Sequence, residues 1–194
     1  MSNTVFSNPS GLDIVDNGNI STCFDMAILM SYCINNELFC EIINTQKYRS
    51  LDRVFINKNK LLKSYEYLIG GKTGYTYKAK RTLINAAEKD KQKLIVCTFD
   101  CGQDFTFHKL KFEKYFKEYT YIPLLNKGDN YFINCIINTT YDIGIRLKNE
   151  NIKKGIIHFK ILSDTLILEI YFIDELNNKE LINKYNVNSI TKLE

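Results

Sequence analysis

Apolar residues change their spacing along this chain, from helical to strand-like and back, and the changes mark out its elements. Asn8-Pro9-Ser10-Gly11 is turn chemistry, with Pro fixing φ and Gly permitting positive φ, and Asp16-Asn17-Gly18-Asn19 continues a loop. Across 22–35 apolar residues recur every three to four positions, with Phe24, Ala27, Ile28 and Ser31 on one predicted helix face. Thr22 and Asp25 fit a capping box for that helix, because a side-chain oxygen accepts from N–H groups that the first turn leaves free. A short helix over 37–43 and strands over 47–51 and 53–57 follow. From Gly74 the period falls to two: a strand over 75–86, a polar turn over 88–91 and a strand over 93–99 predict one long hairpin, its first strand carrying Lys72-Thr73-Gly74. Helical spacing returns over 104–119, where Phe105, His108, Phe112, Tyr115 and Phe116 form a stripe that reads as core.

Ile122-Pro123 marks a predicted break, and alternation then gives strands over 131–137, 142–147, 155–162 and 165–173. The turns between them hold Asn126-Lys127-Gly128-Asp129, Asn149-Glu150-Asn151 and Ser163-Asp164. The predicted fold is therefore α+β: an antiparallel sheet with packed helices over 1–120, then a small all-β domain over 121–194. No nucleophile, base and orienting residue group together in the second part, which fits a structural or interaction role.

Composition narrows the function classes. A chain of 194 residues with 45% hydrophobic content can bury a core. Its net charge of +4 arises from 26 basic and 22 acidic residues spread along the chain, a solvated surface rather than a nucleic-acid footprint. Lys58-Asn59-Lys60 and Lys78-Ala79-Lys80-Arg81 flank the Lys-Thr-Gly segment and suit either an anionic substrate or a plain basic surface. Cysteines stand at 23, 33, 40, 97, 101 and 135 without a Cys-x-x-Cys pair, and His108 and His158 lie far apart, so neither a zinc site nor a cofactor is expected. Cys23, Cys33 and Cys97 sit in apolar runs and read as buried thiols, with a disulfide left open. Residues 1–8 lack the basic start and apolar core of an export signal, and no apolar run approaches the ~20 residues that cross a bilayer. As written, a soluble chain is expected, cytoplasmic if complete.

The most informative stretch is Gly70-Gly71-Lys72-Thr73-Gly74-Tyr75-Thr76. A phosphate loop ending in Gly71-Lys72-Thr73 would need glycine where the chain has Glu66, and it would open into a helix rather than into Tyr75, Thr76 and Tyr77. Nucleotide binding is set aside. Alone, the glycines could be a turn and a bulge and Lys72 a solvated lysine. Three further patterns precede it in order: Asn8-Pro9-Ser10-Gly11-Leu12, Ser21-Thr22-Cys23-Phe24-Asp25-Met26-Ala27 and Asn57-Lys58-Asn59-Lys60-Leu61-Leu62. In that order and spacing the chain resembles the later part of the penicillin-binding domain of serine D-alanyl-D-alanine carboxypeptidases, the low-molecular-mass penicillin-binding proteins. The resemblance runs strongly to about 100 and weakly through the β-rich remainder.

The resemblance implies acyl transfer. In the family a serine opening a helix is deprotonated by the lysine one turn later and attacks the bond between two D-alanines, and water hydrolyses the acyl-enzyme. By resemblance, Lys72 brings positive charge, Thr73 donates to the substrate's terminal carboxylate, Gly74 admits the substrate backbone and the Tyr75 N–H is one oxyanion donor. The Ser-x-x-Lys and Ser-x-Asn blocks would precede Asn8, and no Ser-x-Asn occurs. The lone Ser-x-x-Lys, Ser189-Ile190-Thr191-Lys192, lies after the last predicted strand and reads as chance. Lys80, Asp104 and Tyr115 also depart from the family's usual Gly, Arg and Gly. The family's C-terminal membrane anchor is not expected in the polar tail.

The expectation is a carboxypeptidase part with its nucleophile absent, inactive alone, whose partners by resemblance are a D-alanyl-D-alanine peptide or β-lactam and a complementing N-terminal chain. No nucleic acid is expected. A noncatalytic module binding peptidoglycan peptide or protein is the alternative. Without the nucleophile block, apolar surface along 94–99 should be exposed and favour association.

Overall fold

A computed structural model describes residues 1–13, 18–152 and 154–193. Asp16 and Asn17 of the predicted loop, together with Lys153, lie outside the described residues. The rest falls into two compact units, Met1–Phe116 and Lys117–Glu194.

The first unit is built on three antiparallel strands, β3 (Leu68–Thr76), β4 (Lys80–Lys89) and β5 (Gln92–Phe99), in that spatial order. Before them come α1 (Cys23–Cys33), α2 (Glu37–Asn44), the hairpin β1 (Lys47–Ser50) and β2 (Arg53–Ile56), and α3 (Leu61–Ser64); α4 (Asp104–Glu118) follows. Met30, Ile34 and Ile43 of the α1–α2 layer bury against Ile84 and Ala86 of one sheet face. Leu61, Tyr65 and Phe112 cover the other face at Leu68 and Ala87, with the Phe112 ring stacked on Tyr65 at 5.6 Å. A fully buried aromatic of this kind contributes several kcal/mol, on the order of 3–5 if truncated to alanine.

Thr22 caps α1 as the sequence predicts, its hydroxyl oxygen accepting from the Asp25 N–H at 3.0 Å. The buried face of α1 is not the predicted one. Met26, Met30 and Ile34 pack on the sheet, while Phe24 and Tyr32 are 74% and 79% exposed. The segment is apolar almost all round, so periodicity cannot choose a side, and the facing strand residues do.

Two other expectations change. The predicted strand over 75–86 is broken at Tyr77–Ala79, where Thr76 Oγ1 accepts from the Ala79 N–H at 2.9 Å and Lys80 takes a φ of 57°. The single hairpin thus becomes a three-strand meander, and Lys72-Thr73-Gly74 lies well inside β3. In the stripe of α4, His108 and Phe112 are fully buried but Tyr115 turns outward, 40% exposed.

The second unit contains β6 (Tyr119–Leu125), β7 (Gly128–Tyr131), β8 (Cys135–Thr139), β9 (Ile143–Lys148), α5 (Asn149–Ile152), β10 (Gly155–Leu162), β11 (Ile167–Asp174), β12 (Lys179–Asn186) and β13 (Ser189–Lys192). These form the sheets β6-β9, β13-β8-β7 and β10-β11-β12 around Leu125, Ile137, Ile143, Ile145, Leu168 and Ile170. Pro123 does not break the chain: β6 runs through it, and the register shift between Pro123 and Leu125 accommodates a residue with no N–H to give. The predicted strand over 131–137 is two strands joined by a turn. The polar tail beyond 173 forms β12 and β13, whose charged residues face solvent while Ile182, Tyr185, Val187 and Ile190 turn to the core.

Glu169 of β11 shows how this unit places charge. It is nearly buried, and the register sets Lys160 of β10 and Lys184 of β12 on either side of it. Lys184 Nζ lies at 2.6 Å and the Tyr171 hydroxyl donates at 2.7 Å. The hydrogen bond from Lys184, then that from Tyr171, pulls the Glu169 carboxyl down to about 2.

Candidate functional site

The residues singled out in sequence lie on β3, which forms one edge of its sheet. Alternation puts Lys72 and Gly74 on the face shared with Ile84 and Thr82, and Thr73 and Tyr75 on the face shared with Leu83 and Arg81. Lys72 and Thr73 therefore do not share a face; what unites them is the strand's open edge.

The direction of the backbone groups follows from the register. β4 and β5 are joined by Asp90 and Lys91, both at positive φ, and a two-residue turn of this sort makes Lys89 and Gln92 a hydrogen-bonded pair. Every second pair down the ladder is then bonded, which turns the groups of Thr82, Ile84 and Ala86 toward β3. The Glu88 N–H donating to the Tyr67 carbonyl at 2.8 Å agrees. Their partners Gly74, Lys72 and Gly70 point inward, so the N–H and C=O groups of Gly71, Thr73 and Tyr75 face the open edge. The Lys72 ammonium folds round to the same edge and donates to the Thr73 carbonyl. An edge with outward N–H groups and one ammonium can receive an extended, carboxylate-ended peptide as an added strand.

Two glycines make this edge possible. Gly70 has a φ of 146° and lies against the backbone of Ile43, so a side chain is excluded by conformation and by space. A Cβ at Gly71 would collide with Asn85 Oδ1 and the Ile84 carbonyl. At Gly74 the neighbour that would meet a Cβ is Thr82 Oγ1.

Asn85 belongs to a buried polar chain behind the edge that sequence reasoning did not find. Asn59 Nδ2 donates to Asn85 Oδ1 at 2.7 Å, Asn85 Nδ2 faces His108 Nδ1 at 3.1 Å, and His108 Nε2 faces Thr98 Oγ1 at 3.0 Å. Because the Asn85 oxygen is already an acceptor, its amide donates to Nδ1, which leaves the proton of a neutral imidazole on Nε2 for Thr98. Burial holds His108 down at about 4. An asparagine within a recognised pattern and a histidine in an aromatic stripe were the available signals.

Two of the other patterns reach this sheet, one at β4 and one at the end of β3. Asn57 Nδ2 donates to the Thr45 carbonyl at 3.1 Å and its Oδ1 accepts from the Asn59 N–H at 3.0 Å, fixing the turn that aims Asn59 at β4. Asn8 Oδ1 accepts from the Gly11 N–H at 2.8 Å, closing the Asn-Pro-Ser-Gly turn, and Thr76 Oγ1 donates to Asp13 Oδ2 at 2.6 Å, tying that loop to the end of β3. Asp25 is buried and accepts from Thr4 Oγ1 at 2.7 Å and from the Asn3 N–H at 2.9 Å; the Thr4 hydroxyl is the main reason its carboxyl titrates below the usual range.

The basic cluster over 78–81 is partly neutralised. Arg81 makes a forked pair with buried Asp104, at 2.7 Å and 3.1 Å, and the Lys80 ammonium lies 4.3 Å from the Tyr77 ring centre. The Asp104 hydrogen bond raises the Arg81 guanidinium further above its ordinary value. Lys72, by contrast, turns its ammonium to the edge at the Lys-Thr-Gly segment. Among the described residues no three or more His, Cys, Asp or Glu cluster as metal ligands would. No single described helix is long and apolar enough to cross a membrane.

Ser189 and Lys192 lie within β13 rather than after the last strand. Three positions apart on a strand they point to opposite faces, roughly 10 Å from each other along the axis, and cannot act as a nucleophile and base.

A sheet with helices on both faces, an edge strand bearing Lys-Thr-Gly and a separate all-β unit define a penicillin-binding-protein-like serine peptidase class. The chain belongs to the D-alanyl-D-alanine carboxypeptidase family, peptidase S11, whose family model matches residues 1–102. D-alanyl-D-alanine carboxypeptidase DacF of Bacillus subtilis is 34% identical over 104 residues, which are 51% of this chain and 26% of that protein. Penicillin-binding protein D2 of Listeria monocytogenes, solved in a cefotaxime-bound form, is 27% identical with a TM-score of 0.51, covering 57% of this chain and 47% of that one. The carboxypeptidase DacD of Francisella tularensis shares the fold over 100% of this chain and 65% of its own, with a TM-score of 0.64 at 15% identity. The chain thus matches about a quarter of DacF's length.

Proposed function

We propose that the open edge of β3 is the substrate-recognition wall of a D-alanyl-D-alanine carboxypeptidase, and that these residues recognise without attacking. The observation that carries the reading is the edge itself, where the outward N–H groups of Thr73 and Tyr75 meet the Lys72 ammonium. An extended peptide ending in D-alanine lies along the strand, Thr73 and Lys72 hold its carboxylate, and the Tyr75 N–H faces the carbonyl under attack. Gly74 leaves the middle of the strand without a side chain, and residues 121–194 serve as a β domain for contacts away from the reaction. The work of such a protein lies on peptidoglycan in the cell envelope.

The attack needs a serine and a lysine one helical turn apart, and the lone Ser-x-x-Lys lies on β13. That pair, with the Ser-x-Asn block, comes from a complementing N-terminal segment or partner chain. In the test, this chain is incubated with labelled penicillin, alone and with a segment supplying both blocks. The expected result is no adduct alone, an acyl-serine on the added segment, and a roughly 10- to 100-fold loss of acylation in Thr73→Val, the scale of one charge-assisted hydrogen bond. A stoichiometric adduct on the chain alone would overturn the reading. Saturable binding of a D-alanyl-D-alanine peptide, with no adduct under either condition, would favour the noncatalytic module instead.

A further inference from the structure

The hairpin β1–β2 pairs only with itself, every residue of both strands is exposed, and none of them joins a core cluster of the first unit. Its base is nonetheless fixed, because the Asn57 N–H donates to the Gln46 carbonyl at 2.9 Å and Gln46 Nε2 donates to the Leu62 carbonyl at 3.3 Å. The tip breaks two local rules at once. Leu51 takes a φ of 50° in the turn, where hairpins favour Gly, Asn or Asp, and it is 94% exposed, although leucine is among the residues most often buried. An asparagine would suit both the turn and the solvent; a leucine suits neither.

The register places Lys47, Arg49, Val54 and Ile56 on one face of the hairpin and Tyr48, Ser50, Arg53 and Phe55 on the other. Both faces thus carry exposed apolar side chains beside cations. Residues 47–63 hold six basic side chains and one acidic one, Asp52, so this short stretch has an excess of five positive charges where the whole chain has four. Among the described residues no ion pair takes up Lys47, Arg49, Arg53, Lys58 or Lys63.

We propose that this hairpin docks on an anionic lipid bilayer, with Leu51 leading into the boundary between headgroups and acyl chains. A flat protein partner would cover one face and leave the apolar side chains of the other in water, whereas a lipid interface surrounds the tip on all sides. The unpaired cations complement anionic headgroups, and the Tyr48 ring, apolar with a polar end, suits the headgroup level. Strands of four residues are roughly 13 Å long, enough for an element that enters an interface by roughly 5–10 Å and does not cross it. Docking would hold the Lys-Thr-Gly edge near a membrane surface, and it stands or falls independently of what that edge binds.

The experiment sediments the full chain with phosphatidylcholine vesicles, with and without phosphatidylglycerol. Expected is binding to the anionic vesicles that salt weakens, and little to the neutral ones. Leu51→Asn, which suits the turn and should leave melting unmoved, should weaken binding about 10-fold, the scale of one leucine side chain kept in water. Arg49→Gln with Arg53→Gln should weaken it about 20- to 30-fold, from about fivefold per cation at the surface, while Lys91→Gln at the β4–β5 turn should change it about twofold or less. The chain has no tryptophan, so Leu51→Trp supplies a single reporter whose emission should shift to the blue on anionic vesicles and be quenched by brominated acyl chains. Failure to sediment with anionic vesicles would overturn the proposal, as would Leu51→Asn binding as tightly as the wild-type chain. An unshifted tryptophan on a chain that does sediment would place the contact elsewhere, and binding to inorganic polyphosphate as tight as to the vesicles would assign the hairpin to a soluble polyanion; either result overturns it. If the double arginine variant fails to fold, the Leu51→Asn comparison and the Leu51→Trp emission decide the matter.

Discussion

The two units of this chain spend their buried polar groups differently. In Met1–Phe116 the side chains of Asn59, Asn85 and His108 are buried and bonded to one another directly behind the Lys-Thr-Gly strand. In Lys117–Glu194 the interior is mostly aliphatic, and Glu169 is held between two lysines whose own side chains reach solvent. A buried neutral network tolerates few substitutions, because each member left unpaired costs about 1–3 kcal/mol, whereas an aliphatic β core needs only volume and alternation. The family match ends at residue 102, while the DacD fold extends over the whole chain at 15% identity.

The largest expected effect that would break this contrast is at Gly71. Replacement by alanine drives a methyl group into Asn85 Oδ1 and the Ile84 carbonyl, and backbone cannot give way. Urea unfolding of the first unit should lose more than about 3 kcal/mol, with the second unit's transition unmoved. A loss below about 1 kcal/mol would show that Asn85 is not fixed there.

Acid should separate the units next. The His108 value is lower in the fold, about 4, than the ordinary 6.5, so the unfolded chain takes up the proton first. Stability present above pH 6.5 is then lost as pH falls toward 4, by on the order of 3 kcal/mol, and levels off below. His108→Gln, which cannot titrate, should flatten that slope in the first unit. The Glu169 carboxyl is depressed from 4.5 to about 2, so the second unit keeps this contribution above pH 4.5 and loses it as pH falls through 2. Glu169→Gln should remove that lower window and leave the upper one intact; a single shared acid transition would contradict the division.

The smallest expected effect concerns β5, the other edge of the first sheet. Leu94, Ile95, Val96 and Cys97 are half-buried and border an open groove of about 260 Å³ beside Phe107 and Lys111. An unpaired apolar edge favours association, so sedimentation should show concentration-dependent self-association that Phe99→Lys weakens a few-fold. A monomer at every concentration would remove this edge as a contact surface.

Some local features of the proposed edge and its surroundings were legible in sequence because they are set by residue types that tolerate few alternatives. Lys72-Thr73-Gly74, the Thr22 cap and the Asn57–Leu62 pattern carry their meaning in residue type. The face of α1 was not legible, since Phe24 and Ile28 are as apolar as Met26 and Met30, and only the strand opposite decides between them. Nor was the bonding of Asn85 to His108, which depends on two elements 23 positions apart meeting in the core. The strands at 179–192 were hidden because edge strands at a surface carry charge, which composition alone reads as tail.

The measurement that bears most directly on the claim of recognition without attack is intact mass after incubation with a labelled penicillin. The account predicts an unchanged mass for this chain alone and a shift confined to the added segment when the Ser-x-x-Lys and Ser-x-Asn blocks are supplied. One stoichiometric adduct on this chain by itself, mapped to any of its serines, would contradict it.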